Sequence, residues 1–293
     1  MRTTNVAMYS PNSTEPITFS LGDKLSSEQY LIRGIVGLDA EEITPKFYGF
    51  GSVSKSRFYN FGLKARDIVM RIVLRPRFNL GESYSDIRDN LYRTISANRS
   101  GLVTLHFNAD ATNVARVQGF ITKFEAGYFN KEPEVQITIR CDDPLLRAIN
   151  PVHIEPDDIE GLPALDYPNV NISDTRSTAP HGFVMKINFK GTTKNFIMQD
   201  DPINPDWFFR IKHPDDDLLV EDFRAGDVLY FSSETSNKYL YMTRAGATYH
   251  LIDRILAGSV WPIIFPGENK FFFLEPATFD WEYFEYYPAY WGV

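Results

Sequence analysis

The stretch that decides the fold class is Asp67-Ile-Val-Met-Arg-Ile-Val-Leu-Arg-Pro-Arg-Phe78. Its side chains alternate with a period of two. The apolar set is Ile68, Met70, Ile72 and Leu74, and the opposite set is Val69, Arg71, Val73, Arg75 and Arg77. Because successive side chains of a strand point to opposite faces, this pattern predicts a β-strand buried on one face and lined with arginines on the other.

Neighbouring segments of the first half repeat the pattern. Gly101–Phe107 alternates through Val103, Leu105 and Phe107, and Val135–Cys141 alternates in the same way. A polar, turn-rich stretch separates Val135–Cys141 from the earlier segment Val114–Phe124, so these two are predicted to form a hairpin.

One helix is predicted in this half, near residues 84–97. Tyr84, Ile87, Leu91 and Ile95 recur at helical spacing, and Ser85 is the expected N-cap. With at least four strands beside it, the helix indicates a mainly β domain, a barrel or a sandwich with one helix.

A domain boundary is expected after Cys141. Residues 1–148 form the first predicted domain, and the proline-containing segment 149–180 has no sustained periodicity, which is typical of a linker or an extended wrapping segment. Residues 181–293 contain short alternating segments such as Phe183–Phe189 and Phe279–Phe284, so a C-terminal β-sandwich is predicted. Within it, Tyr249–Leu256 is predicted as a short helix.

The net charge differs in sign between the two halves of the chain. The chain has 293 residues and a formal net charge of −8. Residues 1–150 hold 19 Lys and Arg against 16 Asp and Glu, a net +3, whereas residues 151–293 hold 11 against 22, a net −11. The change supports two domains and makes a dedicated nucleic-acid binder a poor expectation.

Catalytic and metal-binding motifs are not found in the sequence. The five histidines are never three to five residues apart, Cys141 is the single cysteine, and neither a nucleophile elbow nor a phosphate-binding glycine loop occurs. Adjacent acids such as Asp215-Asp-Asp217 favour solvated turns over a glycosidase pair. We therefore expect no enzyme activity, no cofactor and no metal. No apolar run is long enough for a membrane-spanning helix.

Several segments resemble the distal tail proteins of long-tailed bacteriophages. In the first half the resemblance rests on Ser83-Tyr-Ser-Asp-Ile-Arg-Asp-Asn-Leu-Tyr92, Leu102–Phe107, and Val135–Cys141 with the following Asp142-Asp-Pro144. In the second half it rests on Gly226–Ser233, Ser259-Val-Trp-Pro262, Pro266-Gly-Glu-Asn269, Phe271–Phe273 and the aromatic C-terminal end. The resemblance covers most of Ser20–Val293.

The resemblance implies a structural virion protein at the distal end of the phage tail, assembled in the host cytoplasm. Its N-terminal domain would be tail-tube-like and would close, in six copies, into a ring through which genomic DNA passes without specific binding. Its C-terminal domain would be a galectin-like β-sandwich. Expected partners are further copies of the chain, the tail tube protein, the tail-tip hub protein and receptor-binding proteins, without membrane insertion.

A ring of identical copies needs two different patches on each protomer. We expect a cationic and aromatic interface from Phe47, Phe50, Arg57, Tyr59, Phe61, Arg71, Arg75 and Arg77. The alternative is that the arginines face the lumen, where they would hold DNA phosphates.

Aromatic residues make up 15% of the chain and concentrate near its C-terminus. Trp281, Tyr283, Tyr287, Tyr290 and Trp291 are expected in the core or in an interface with a partner. The alternative function is a carbohydrate-binding β-sandwich that acts in host-surface recognition, because exposed aromatic rings stack on sugars.

Overall fold

The computed structural model describes most of the chain, in two compact units. The described residues are 5–10, 15–21, 29–39, 43–49, 56–97, 102–107, 115–126, 133–154, 159–161, 168–193, 195–203, 205–211, 223–274 and 279–292. The first unit, called here the barrel unit, comprises Met1–Ile149 with Tyr290–Val293. The second, the sandwich unit, comprises Asn150–Ala289.

The barrel unit is built on a nine-stranded sheet. Its strands are β1 (Asn5–Tyr9), β2 (Ile17–Ser20), β3 (Tyr30–Val36), β6 (Arg66–Leu74), β7 (Val103–Phe107), β8 (Ala115–Ala126), β9 (Glu134–Cys141), β10 (Leu146–Ala148) and β22 (Ala289–Tyr290); a separate hairpin holds β4 (Ile43–Gly49) and β5 (Ser56–Leu63). The order β8-β7-β1-β2-β3-β6-β9 returns to β8 through the β8–β9 pairing, so seven strands close into a barrel.

The alternation predicted for Asp67–Phe78 is confirmed in β6. Ile68, Met70 and Ile72 are fully buried, while Arg71 is exposed. β6 pairs with β3 on one side and β9 on the other, which places it inside the sheet. The predicted hairpin is also confirmed, because β8 and β9 pair antiparallel.

Helix α1 (Tyr84–Ala97) is confirmed, and its cap corrects the prediction. Ile87, Leu91 and Ile95 are buried in the barrel core, as the spacing indicated. The N-cap is Ser83 and not Ser85: the Ser83 Oγ accepts from the Asp86 backbone N–H at 3.2 Å, and the Ser83 N–H donates to the Asp86 carboxylate at 2.9 Å. This reciprocal pair is a capping box, which fixes where the helix begins.

The sandwich unit consists of two facing sheets. The six-stranded sheet has the order β11 (Val152–Ile154), β21 (Phe279–Tyr286), β14 (Val184–Phe189), β17 (Val228–Ser232), β18 (Tyr239–Arg244), β19 (Ala247–His250). The five-stranded sheet has the order β12 (Ile159–Gly161), β13 (Pro168–Asp174), β20 (Gly267–Leu274), β15 (Phe196–Gln199), β16 (Phe208–Ile211). The mainly β fold predicted for the whole chain is therefore confirmed.

Aromatic side chains fill the space between the two sheets. Phe183 is fully buried, and its ring centroid lies 4.6 Å from that of Phe284 and 5.5 Å from those of Phe231 and Phe271. Buried phenylalanines contribute the largest apolar areas of any core. Much of the aromatic content of the second half is thus explained by packing.

The structure differs from the sequence interpretation at three places in the second half. The segment 149–180, interpreted as a linker or an extended wrapping segment, contributes β11, β12 and β13 to the two sheets. The helix predicted over Tyr249–Leu256 is wrong: the chain there completes β19 and then makes a 3-10 turn at Ile252–Arg254. Tyr290 and the residues after it belong to the barrel unit, not to the C-terminal domain.

The described residues hold no helix with the length and hydrophobicity that crossing a membrane requires.

Candidate functional site

The polar cluster most like a catalytic site is a structural one. The Nε2 atom of His181 lies 2.9 Å from Asp174 Oδ2 and 3.1 Å from Ser177 Oγ, and its Nδ1 donates to the Gly182 carbonyl at 3.0 Å. In a hydrolase the serine and the acid contact different ring nitrogens and the serine meets the substrate. Here both contact the same nitrogen, and the His181 and Asp174 side chains are fully buried. The described residues also hold no group of His, Cys, Asp and Glu that could bind a metal ion.

Asp174 holds this cluster together. Burial pushes the pKa of Asp174 up, but hydrogen bonds from His181 and Ser177 outweigh it, so the pKa lies below its ordinary value. The Oδ1 atom accepts from the backbone N–H groups of Arg176 and Ser177 at 3.2 and 3.1 Å. Ser177 Oγ in turn accepts from the Ala289 N–H at 3.1 Å. The cluster therefore ties together the end of β13, the start of β14 and the residues after β21.

The expected arginine face is shorter than the alternation predicted. β6 ends at Leu74, so Arg71 lies in the strand, beside Gly34 and Gln136, whereas Arg75 and Arg77 follow it. The Arg77 guanidinium forms an ion pair with Glu82 at 2.8 Å within the same chain. The interface role of the three arginines stays a prediction, but they do not share one strand face.

Most of the aromatic residues expected in the same interface lie in the β4–β5 hairpin. Phe47 pairs with Phe58, and Arg57 and Phe61 lie on β5 opposite β4. Tyr59 lies at a register shift, where β5 has one more residue than β4. Only the backbone of this hairpin is described, and Phe50 lies outside the described residues.

The C-terminal aromatic residues divide between the two units. Tyr283 and Tyr287 are half-buried in the sandwich unit, and Tyr290 and Trp291 are half-buried in the barrel unit. The Arg66 guanidinium, which is fully buried, donates to the Trp291 carbonyl at 2.6 Å. The side chain of Trp281 is not described, although its backbone pairs with Ile187.

A β-bulge overturns the expected alternation of β21. Aromatic residues alternate with Asp280 and Glu282 over Phe279–Tyr283, which predicts that Phe279, Trp281 and Tyr283 share one buried face. The register of β14 against β21 shifts between Lys186 and Ile187, so Glu282 has no counterpart on β14. After the bulge it is Phe284 and Tyr286, and not Tyr283, that are buried.

The bulge brings Tyr283 to one end of a row of side chains that crosses the six-stranded sheet. The register places Tyr283 beside Lys186, Lys186 beside Tyr230, Tyr230 beside Tyr241 and Tyr241 beside His250. Its central members Lys186, Tyr230 and Tyr241 lie on the solvent side of the sheet, because the residues before and after each of them along its strand are buried. The sequence alone does not show it, because its members come from five separate strands.

Ring stacking in this row bears on the carbohydrate alternative. The Tyr230 and Tyr241 rings stack with centroids 4.6 Å apart and planes 12° apart, and the Lys186 ammonium lies 5.2 Å from the Tyr230 ring. Lys186 is itself held by Glu282 at 2.5 Å. A sugar stacks on an open aromatic face, and neighbours already occupy both faces of Tyr230. The row therefore presents ring edges and hydroxyl groups rather than a flat platform.

Comparison with known proteins identifies the fold. No family model matches the chain, and no curated protein matches it. Among solved structures, it is similar to the Dit protein of phage SPP1, described as a paradigm of the hub adsorption apparatus in phages that infect Gram-positive bacteria. The similarity has a TM-score of 0.59 at 14% identity and covers 96% of this chain and 98% of that one.

Two structures of the phage p2 baseplate in its activated conformation, with Sr and with Ca, are more distant. Each has a TM-score of 0.43 at 10% identity. The coverage of this chain is 96% in the first and 97% in the second. The similarity to the Dit protein of phage SPP1 shows that this chain shares the fold of that protein.

Proposed function

We propose that this chain is a structural protein of a bacteriophage virion, a ring at the distal end of the tail that joins the tail tube to the tail tip. The observation that carries the proposal is the similarity to the Dit protein of phage SPP1 over nearly the whole of both chains.

In this proposal the barrel unit forms the ring. Six copies enclose a channel through which the DNA passes without specific contacts, and the ring contacts the tail tube protein on one side and the tip hub protein on the other. The sandwich unit is available to receptor-binding proteins. The assembly forms in the host cytoplasm and remains in the virion.

Negative-stain electron microscopy of the purified full-length protein tests the ring. We expect sixfold rings with a central opening, together with a hexamer mass in native mass spectrometry. A protein that stays monomeric at all concentrations up to its solubility limit, and that does not join a ring when mixed with phage tail tubes, would contradict the proposal.

A further inference from the structure

The sandwich unit interrupts the chain between two neighbouring strands of the barrel unit. β10 ends at Ala148, the sandwich unit occupies Asn150–Ala289, and β22 ends at Tyr290. In the nine-stranded sheet β22 lies directly beside β10. The whole sandwich unit is therefore the connection between two strands that are neighbours in the sheet of the barrel unit.

The residues that follow the sandwich unit are held by the barrel unit. The Tyr290 side chain packs against the barrel core. The Trp291 carbonyl accepts a hydrogen bond from Nη2 of Arg66 at 2.6 Å, and Arg66 is fully buried at the start of β6. A buried charged group is stable only with hydrogen-bond partners, so this carbonyl contributes to the stability of the barrel unit. It comes from a residue that is synthesised after the entire sandwich unit.

Ala289, the residue just before Tyr290, is fixed by the sandwich unit. Its N–H donates to Ser177 Oγ at 3.1 Å, and its carbonyl accepts from the N–H groups of Thr178 and Ala179 at 2.9 and 3.1 Å. Ala289 is also fully buried. Folding of the sandwich unit therefore fixes the position of the chain up to the residue from which Tyr290 continues.

The sandwich unit also brings its own two ends together. β11 pairs with β21, which places Val152 opposite Tyr286. The entropy cost of closing a loop rises with the number of flexible residues in it. When the sandwich unit is folded, only the few residues outside this pair separate β10 from β22, whereas in the unfolded unit all of Asn150–Ala289 is flexible. β22 has only two residues, so its few contacts are opposed by a large closure cost in the second case.

We propose that the sandwich unit controls the completion of the barrel unit. β22 binds beside β10, and the Trp291 carbonyl binds Arg66, in chains whose sandwich unit has folded, and both contacts are released when that unit unfolds. A chain with an unfolded sandwich unit then has a barrel unit that lacks its last strand and is less stable. This inference concerns a single copy of the chain and does not rest on the proposed function.

The test measures the effect of Tyr290→Ala in chains with a folded and with an unfolded sandwich unit. Phe183→Asp places a carboxylate at the fully buried centre of the phenylalanine cluster, so the sandwich unit should not fold. Tryptophan fluorescence checks this, because the unit holds Trp207, Trp261 and Trp281. The stability of the barrel unit is measured as the rate at which a thiol reagent labels Cys141, which is fully buried in the barrel core.

The effect of Tyr290→Ala should depend on the state of the sandwich unit. In the natural chain it should raise the labelling rate of Cys141 at least about tenfold, because it removes a ring that packs against the barrel core. In the Phe183→Asp chain labelling should already be faster, and Tyr290→Ala should change it less than about twofold, since β22 is no longer bound. The matched control is Ile203→Asp, a substitution in the sandwich unit at a 71% exposed side chain, on which Tyr290→Ala should keep its full effect.

Three results would overturn the proposal. The first is a full effect of Tyr290→Ala in the Phe183→Asp chain, which would mean that β22 binds without a folded sandwich unit. The second is no effect in the natural chain, which would mean that β22 does not stabilise the barrel unit. The third is labelling of Cys141 in the Phe183→Asp chain at the rate of a fully unfolded chain, because the barrel unit would then depend on more than its last strand.

A disulfide bond tests the closure argument directly. His153 and Glu285 lie opposite each other in the pair of β11 and β21, with 3.3 Å between Nδ1 and Oε2. In the Phe183→Asp chain, His153→Cys with Glu285→Cys should slow the labelling of Cys141 when the new pair is oxidised and restore the effect of Tyr290→Ala. The reduced form should behave as Phe183→Asp alone, and mass spectrometry of the Cys141 peptide separates its labelling from that of the introduced cysteines. Equal labelling rates of Cys141 in the oxidised and reduced forms would show that closure is not what the sandwich unit supplies.

Discussion

Asp174→Asn is the substitution that distinguishes most sharply between the structural and the catalytic interpretation of the His181 cluster. In the folded chain the Gly182 carbonyl and the Asp174 carboxylate face the two ring nitrogens, and both can only accept hydrogen bonds. The Asp174 carboxylate therefore accepts a hydrogen bond from Nε2. Asparagine keeps an oxygen for the two backbone N–H groups but places an amide NH₂ against Nε2–H, so donor meets donor.

The expected cost follows from the burial of the pair. Removing one partner from a buried ion pair costs about 3–5 kcal/mol of unfolding free energy, because the other group is left without its counterpart. For a unit of this size, 1 kcal/mol corresponds to about 3–4 °C, so the melting transition should fall by about 10–20 °C. The loss should appear in the transition of the sandwich unit alone, if the two units melt separately in calorimetry.

The control is Asp280→Asn, in the same unit. Asp280 forms an ion pair with Lys190, and both side chains are mostly exposed, so this substitution should change the unfolding free energy by less than about 1 kcal/mol. Urea denaturation of both variants and the natural protein gives the comparison. A loss below about 0.5 kcal/mol for Asp174→Asn would mean that Nε2 accepts, and the reasoning from hydrogen-bond donors would be refuted.

The dependence of stability on pH in the acid range gives a second measurement of the interaction between Asp174 and His181. Because the pKa of Asp174 is lowered in the folded protein, its contribution to stability is present above the unfolded value, about 3.9, and is lost as pH falls through the folded value. The stability gap between the natural protein and Asp174→Asn should therefore narrow as the pH falls below about 4. A gap that widens on acidification would have the wrong sign for this carboxylate.

Three further substitutions test the fold and the expected interface. Arg71→Glu with Arg75→Glu should leave a folded protein that no longer assembles in light scattering; a salt-dependent DNA affinity that this change abolishes would favour the lumen alternative. Phe183→Ala should cost about 3–5 kcal/mol in urea denaturation, since the residue is fully buried among three other rings. Gly119→Ala should lower the melting temperature of the barrel unit, because a Cβ atom at this position would lie 2.6 Å from a backbone carbonyl oxygen of β9. The control is Gly34→Ala, where an added Cβ atom would have no neighbour within 4 Å, so this variant should be tolerated far better.

The strands predicted most accurately are those whose burial repeats every second residue. The sequence pattern predicts β6 and β14 directly, because one face of each strand packs against a core and the other face is in contact with solvent. β19 could not be separated from a helix in the same way: Ile252 and Ile255 follow it at helical spacing, and only the tight turn at Ala245 and Gly246, both with positive φ, commits the chain to a hairpin.

The arrangement of side chains on the surface is harder to predict from the sequence than the secondary structure. The tyrosine row depends on the register of five strands and on one bulge, and the sequence specifies neither locally. The exposure of Phe78 could not be predicted, because Phe78 continues the apparent alternation of β6, although Pro76 and Gly81 are signals for a strand end and a turn.

Closure of the barrel limits how its copies can join. In the described part of the barrel unit, seven strands form a complete ring of pairings, so none of the seven offers a full free edge to a strand of another copy. Copies that meet through these seven strands therefore meet through side chains, whereas β4 and β5 of the same unit form a two-stranded sheet whose outer edges pair with no other described strand. A contact made by backbone strand addition tolerates most surface substitutions, whereas a contact made by side chains is broken by reversing a charge or by placing aspartate in an apolar patch. If assembly survives substitution of the arginines, the copies must join through another surface, and among the described strands the free edges of β4, β5, β11, β12, β16 and β19 become the surfaces to test.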